Sequence, residues 1–259
     1  MPLSLCLAFR DVSEDSRPLG SHNVARGDWW HAIELPDGSV TPGGWDLRET
    51  ARAIPWPDLE GKRCLDIGTA DGFWAFEMER RGAAEVLATD LPSPFQGQAR
   101  KRFEYARELL GSGALYEERD VFDLEGEFDV LFAGYVLQMV RDPIGALASM
   151  RRVCRGQLLL LETVSWPLSL VPAPLARLDA RHDGSEWFVF NRLGLRKVLQ
   201  LAGWTVEAQT KTLRDRAGPL AIAQTASRSL KYRLGARGRS CALRAAPTGS
   251  AMRLFGASE

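Results

Sequence analysis

Hydrophobic and polar positions change period along the chain. From Arg63 onward, short apolar runs alternate with segments whose apolar residues recur every three or four positions. The runs Arg63–Ile67, Glu85–Thr89, Ala114–Glu118, Phe128–Ala133, Gln157–Glu162, Thr205–Gln209 and Cys241–Ala246 predict strands. The segments Phe73–Arg81, Phe95–Leu110, Pro143–Val153 and Gly194–Ala202 predict helices, and Gly111-Ser112-Gly113, Gly156 and Gly203 fall where three of them should stop. Strands alternating with helices of about 10–15 residues predict a parallel sheet covered on both faces. Right-handed crossovers then restrict the wrapping.

Before Arg63 the pattern is less regular. The first 28 residues show no sustained period. An aromatic stretch follows from Trp29 to Gly44, in which Pro36-Asp37-Gly38 predicts a turn: Pro presets φ and Gly accepts a positive φ. Trp45–Ala53 predicts a short helix, ended by Ile54-Pro55-Trp56-Pro57.

Composition narrows the class. Hydrophobic residues make up 45% of the 259, and 33 Lys+Arg balance 33 Asp+Glu, which excludes a mostly disordered or collagen-like chain. No window holds the roughly 18–20 apolar residues of a membrane-spanning helix. Met1 to Phe9 is apolar but lacks the preceding basic residue of a secretory signal, so a cytoplasmic protein without membrane contact is expected. Cys6, Cys64, Cys154 and Cys241 are far apart, and the histidines are only His22, His31 and His182, so neither disulfides nor a metal site is expected. The neutral total hides a split. From Lys211 onward 10 basic residues face 2 acidic ones, leaving 23 basic and 31 acidic before it. Such a segment reads as a solvated face, an anion contact or a nucleic-acid patch, although no stripe of alternating aromatics accompanies it.

The candidate chemistry centres on Cys64-Leu65-Asp66-Ile67-Gly68-Thr69-Ala70-Asp71-Gly72, between a predicted strand and a predicted helix. Ligands of open α/β sheets bind beyond the carboxyl ends of the strands. Gly68 and Gly72 permit a tight turn and close approach of a ligand to the backbone, and the following helix start offers unpaired N–H groups. This is not the GxGxxG dinucleotide pattern. Asp66 precedes the first Gly and Asp71 stands where a pyrophosphate would approach, so the turn suits a cationic ligand. Asp90, after the second strand, can accept both hydroxyls of a ribose. Asp120, after the third, can with Val121 meet an adenine edge.

With these residues the chain resembles the class I S-adenosylmethionine-dependent methyltransferases over roughly 60–210 and 240–247. Trp30-His31-Ala32-Ile33-Glu34-Leu35-Pro36-Asp37-Gly38, Thr41-Pro42-Gly43 and Leu65 to Glu77 resemble most the group related to the tRNA wobble-uridine carboxymethoxy-forming enzymes. The resemblance implies an α/β, Rossmann-like seven-stranded sheet, mostly parallel, with its last strand antiparallel. It implies an N-terminal extension and flap over 1–58 and a methyltransferase domain over 59–259, with cap insertions near 163–190 and 211–239. It implies S-adenosylmethionine as cofactor, held by Asp66, Gly68, Gly72, Asp90 and Asp120-Val121, with flanking Thr69, Ala70 and Leu91. Ala133 and Gly134 would lie near the methionine part, under a flap carrying Trp30, His31, Thr41 and Pro42. One departure stands out: where the tRNA enzymes carry a Tyr-His pair, this chain has Gln138 and Met139. That Tyr helps hold the carboxylate of carboxy-S-adenosylmethionine, so its loss points to ordinary S-adenosylmethionine. The large N-terminal region of the tRNA enzymes is also not expected here, and both points favour a small-molecule acceptor such as a specialised metabolite or a sugar.

Methyl transfer mainly requires aiming a nucleophile along the S–CH3 axis and excluding water, helped by a general base where the acceptor carries a proton. His31 in the flap and His182, with Glu186, Trp187 and Asn191 near the acceptor, are the base candidates, and Tyr135 after the fourth strand is a third contact. Trp30 and Trp74 flank the expected sulfonium, and one of them could face it. The basic region 211–239 reads as a solvated surface or as a cap over an acidic acceptor. The alternatives are a tRNA-modifying methyltransferase, and a protein keeping this fold for cyclisation or binding alone. The sequence leaves room for a homodimer.

Overall fold

The computed structural model describes residues 29–92, 98–178, 186–211, 213–214, 216–217 and 239–248. His182, Cys6 and most of the expected cap 211–239 lie outside the described residues.

The elements follow the sequence pattern closely. They are β1 (Trp45–Asp46), α1 (Arg48–Ala53), β2 (Arg63–Ile67), α2 (Phe73–Arg80), β3 (Glu85–Asp90), α3 (Ala99–Leu110), β4 (Leu115–Glu118) and β5 (Phe128–Gly134). There follow α4 (Pro143–Val153), β6 (Cys154–Thr163), β7 (Ala176–Leu178), β8 (Phe188–Phe190), α5 (Arg192–Leu201), β9 (Trp204–Gln209), β10 (Leu213–Arg214), β11 (Arg216–Ala217) and β12 (Arg239–Pro247). Local chemistry sets the helix ends. Asp142 accepts the Gly145 N–H and Pro143 opens α4, Asn191 accepts the Gly194 N–H at the start of α5, and Gly111 closes α3 in the left-handed conformation.

Seven strands form the sheet in the order β4-β3-β2-β5-β6-β12-β9, and the two-residue β10 adds to the edge of β12. The pairings β4-β3, β3-β2, β2-β5 and β5-β6 are parallel, whereas β12 runs antiparallel to β6 and β9. The expected mixed sheet is therefore present. Alternation along the strands splits the core: Leu65, Ile67, Leu131, Ala133, Leu158 and Leu160 pack with α4 and α5. Cys64, Val130, Phe132, Leu159 and Leu161 pack on the other face with α1, α2 and α3.

Three features differ from the sequence reading. Trp45–Asp46 is a strand paired with Arg216–Ala217, so the predicted helix begins only at Arg48. β7 and β8 form a three-residue ribbon, too short to announce itself by period. β6 and β12 both extend beyond the predicted runs, because neighbouring strands pair with their ends: Cys154 with Phe128 of β5, Thr163 with Ser240, Arg239 with Arg214 and Pro247 with Trp204. Cys64, Cys154 and Cys241 are buried free thiols, and among the described residues there is no metal-binding cluster and no helix long and apolar enough to cross a membrane.

Candidate active site

The carboxyl ends of β2, β3 and β5 converge on the turn 68–72. Gly68 has φ +75°, and a Cβ there would stand 2.9 Å from Val136 Cγ2, so only glycine fits without displacement. The N–H groups of Gly68 and Thr69 donate to the Thr89 carbonyl of β3 (2.8 and 3.0 Å), which pins the turn to the neighbouring strand. Ala70 is held at φ 50°, a conformation unusual for a residue with a side chain, and donates to Asp90 Oδ2 at 2.7 Å. Asp90 Oδ1 accepts the Leu91 N–H at 2.8 Å. Burial raises the Asp90 pKa, while the hydrogen bonds from Ala70 and Leu91 hold it down. Each oxygen keeps a second acceptor site, so Asp90 is positioned by the backbone and still able to take a diol.

Asp66 lies on β2 just before this turn. It is fully buried, and neither of its carboxylate oxygens, nor the Thr69 hydroxyl, has a hydrogen-bond partner of normal geometry among the described residues. Burial pushes its pKa up to about 7, a rise moderated by the nearby Thr69 hydroxyl. An unpartnered buried carboxylate is costly. A cationic ligand over the turn would offset that cost, so the donor set fits a sulfonium and ammonium nucleoside.

Exposure sorts the other expected contacts. Gly68, Asp90, Asp120, Gly134 and Tyr135 are partly accessible along one strip of the sheet edge, with Leu91 and Trp30 exposed beside it. Thr69, Ala70, Val121 and Ala133 are buried beneath. Asp120 accepts the Phe122 N–H at 3.0 Å and so caps a single 3-10 turn, Val121–Asp123. Tyr135 sits at φ 60° immediately after β5; strain of this kind collects at ligand sites. Gly72 is buried, and a Cβ there would meet Phe76 and Phe103 at 2.5–2.6 Å, so the missing side chain makes room for helix packing.

The flap is tied to the turn by Asp71. Asp71 Oδ2 accepts the N–H groups of Trp30 (2.6 Å) and His31 (3.1 Å), and Oδ1 lies 2.5 Å from His31 Nδ1. This corrects the expectation that Asp71 faces the ligand cation: its acceptors are taken up by a chain segment 40 residues away. Thr41 is similarly engaged, donating to the His31 carbonyl and accepting the Ile33 N–H, both at 2.8 Å. Its hydroxyl holds the flap hairpin, and the predicted turn at Pro36-Asp37-Gly38 closes that hairpin. Of the two indoles expected to flank the sulfonium, Trp74 is buried and stacked on Phe132 (centroids 4.4 Å), so it belongs to the core and Trp30 is the exposed one.

Two residues gain roles that the sequence reading did not give them. Glu162, at the carboxyl end of β6, is buried and accepts the Leu137 N–H at 2.7 Å, fixing the loop that carries Tyr135. Burial pushes its pKa up to about 8, with the backbone donors of that loop opposing. Asn191, expected near the acceptor, is fully occupied. It donates to Leu168 and Ala173 carbonyls and accepts from Leu175 and Gly194 N–H groups, stapling the segment after β6 to the start of α5. Of its expected neighbours, Trp187 donates its N–H to the Gln138 carbonyl at 2.6 Å and lies under Arg141.

A mixed seven-stranded sheet with a glycine turn, strand-end acids and an acid-lined edge defines an α/β methyltransferase fold. A family model described as a methyltransferase domain matches residues 46–209, more than half of the chain, and the chain belongs to this family, with S-adenosylmethionine as cofactor. Among its relatives, the tRNA U34 carboxymethyltransferase of Pseudomonas paraeruginosa is 32% identical over 158 residues, covering 60% of this chain and 48% of that protein. That of Campylobacter hominis is 34% identical over 100 residues, covering 38% and 34%. The chain thus spans at most about half the length of these curated relatives. Among solved structures, the [4+2]-cyclase SpnF superposes with a TM-score of 0.61 at 18% identity, covering 78% of this chain and 81% of that one. The S-adenosylmethionine-dependent methyltransferase from Mesorhizobium loti gives 0.53 at 17% identity, covering 77% and 97%. At such identities these likenesses speak for the fold.

Proposed function

We propose that the chain transfers a methyl group from S-adenosylmethionine to a small acceptor seated beside Tyr135. The observation that carries the donor half of this reading is the fully buried Asp66 carboxylate next to Gly68, whose oxygens make no hydrogen bond of normal geometry among the described residues. The bound donor supplies a methyl already activated on a sulfonium. Asp90 would take the ribose hydroxyls, Asp120 and Val121 the adenine edge, and the partly accessible Gly68 and Gly134 would lie beside the methionine portion. An acceptor aligned on that methyl would need only its lone pair directed at the carbon, the sulfur keeping the electrons of the C–S bond, and a base for any acceptor proton. His31 is that base in our reading. Asp71 orients its Nδ1, leaving Nε2 to take the proton. Trp30 and the flap hairpin exclude water above it.

A second reading, a tRNA acceptor, is favoured by sequence kinship, because the named relatives act on tRNA U34. The small-acceptor reading is supported by Gln138 and Met139 in place of the Tyr-His pair and by the cavity described below. Incubation with methyl-labelled S-adenosylmethionine and, separately, total tRNA and a low-molecular-mass cell extract decides. Label in the small-molecule fraction is expected. Label in tRNA would replace this reading with the second, and label in neither by a protein that binds the donor would overturn methyl transfer.

A further inference from the structure

Beyond the proposed donor site lies an open pocket of about 400 Å³, whose lining includes Trp166, Leu170, Arg192, Leu193, Gln209 and Arg239. They come from the segment after β6, the first turn of α5, the end of β9 and the start of β12, so the cavity opens on the same sheet edge as the donor site. Its chemistry is two-sided. Trp166, Leu170 and Leu193 are 47%, 72% and 42% exposed, a cluster of apolar surface at the rim. Between them stand two guanidinium groups, and the described lining holds no carboxylate. The Arg239 guanidinium lies 4.8 Å above the Trp166 ring, which orients it without neutralising it. Arg192 gives Nη2 to the Thr210 carbonyl at 3.1 Å, while its buried Nε has no hydrogen-bond partner among the described residues. The Thr210 bond fixes the Arg192 guanidinium in a lining that offers its charge no acidic partner among the described residues.

We infer that this cavity is the distal half of the acceptor site and takes the carboxylate of an amphipathic organic acid, with Arg192 and Arg239 as its anion clamp. The inference rests on the small-acceptor reading above. It also sets the ligand's length. The methyl is delivered at the end of β5, and β12 lies two strands away, about 10 Å at roughly 4.8 Å per strand step. The acceptor is therefore an acid whose methylated group stands about 10 Å from its carboxylate, with an apolar body resting on Trp166, Leu170 and Leu193. Gln209 is held by its bonds to the Arg192 carbonyl and to Cys241, and so forms a fixed wall behind the clamp.

The test is calorimetric titration of the S-adenosylhomocysteine-saturated protein with 4-hydroxycinnamate and with its uncharged methyl ester, on wild type, Arg192→Met, Arg239→Met and the double variant. The acid should bind wild type at least tenfold more tightly than the ester, and each substitution should remove most of that difference. S-adenosylhomocysteine affinity, measured first, should stay within twofold in every variant and shows that each is folded. Should the product nucleoside not bind wild type at all, the donor assignment fails and the clamp with it. If it binds but acid and ester are indistinguishable, or the double variant retains the preference, the clamp alone is overturned. A hairpin RNA whose affinity drops in the arginine variants, with no effect on the acid, would make these side chains phosphate contacts and overturn the proposal equally.

Discussion

The two halves of the carboxyl edge are constructed on different principles. The donor half, at the ends of β2, β3 and β5, is positioned by the backbone: the Thr89 carbonyl pins Gly68 and Thr69, and Ala70 and Leu91 aim Asp90. The half facing β6 and β12 is positioned by side chains: Asn191 staples the segment after β6, and Arg239 rests on Trp166. Backbone-built sites depend on local turn geometry and tolerate few substitutions. Side-chain-built sites can be exchanged residue by residue, which is how one fold serves many acceptors.

The largest expected effect strikes the donor half. Gly68→Val places a branched side chain at φ +75° against Val136 and should weaken S-adenosylmethionine binding more than 100-fold, about 2.7 kcal/mol. Arg192→Met with Arg239→Met should change the same constant less than twofold, and equal losses at the two places would erase the distinction between the halves. Next comes the clasp. Asp71→Asn retains the shape but loses the charge that accepts Trp30, His31 and the His31 ring, so donor affinity should fall about tenfold, or about 1.4 kcal/mol. Amide exchange at Trp30 and His31 should accelerate with it, and unchanged exchange would show that the flap is held elsewhere.

A smaller effect separates the halves by pH. Asp66 and Glu162 both have pKa values raised above their ordinary 3.8 and 4.5, to about 7 and about 8. A carboxyl that prefers its proton when folded stabilises the protein fully below the unfolded pKa and loses that stabilisation as pH rises through the folded value. The ligand-free protein should therefore melt at progressively lower temperature from about pH 4 to about pH 8. Asp66→Asn should flatten the part ending near pH 7 and Glu162→Gln the part ending near pH 8. Saturating S-adenosylmethionine should reduce the Asp66 part alone, since the cation favours the ionised acid. A melting temperature that rises across this range would contradict the placement of both acids.

How much of this was legible in the sequence follows the same division. β2, its glycine turn and the acids Asp66, Asp90 and Asp120 belong to continuous stretches whose apolar period and turn residues declare themselves, whereas the strand order is visible only in the fold. Asp71 was read as a ligand group because its true partners, Trp30 and His31, are about 40 residues distant and nothing local marks them. Trp74 and Trp30 look alike as letters, and only stacking on Phe132 puts one of them in the core. Glu162 read as the end of a strand, and its role depends on a loop from the neighbouring one. Arg192 precedes the predicted helix Gly194–Ala202 and Arg239 ends a basic stretch, and only the antiparallel β12 brings them to one pocket.

If the strand-end acids and the bare turn grip a cationic nucleoside, calorimetric titration should find one S-adenosylmethionine site in wild type and at least a 30-fold weaker one in Asp90→Ala, about 2 kcal/mol from the lost ribose contacts. Equal affinity in the two proteins, or no binding to a folded wild type, would contradict it.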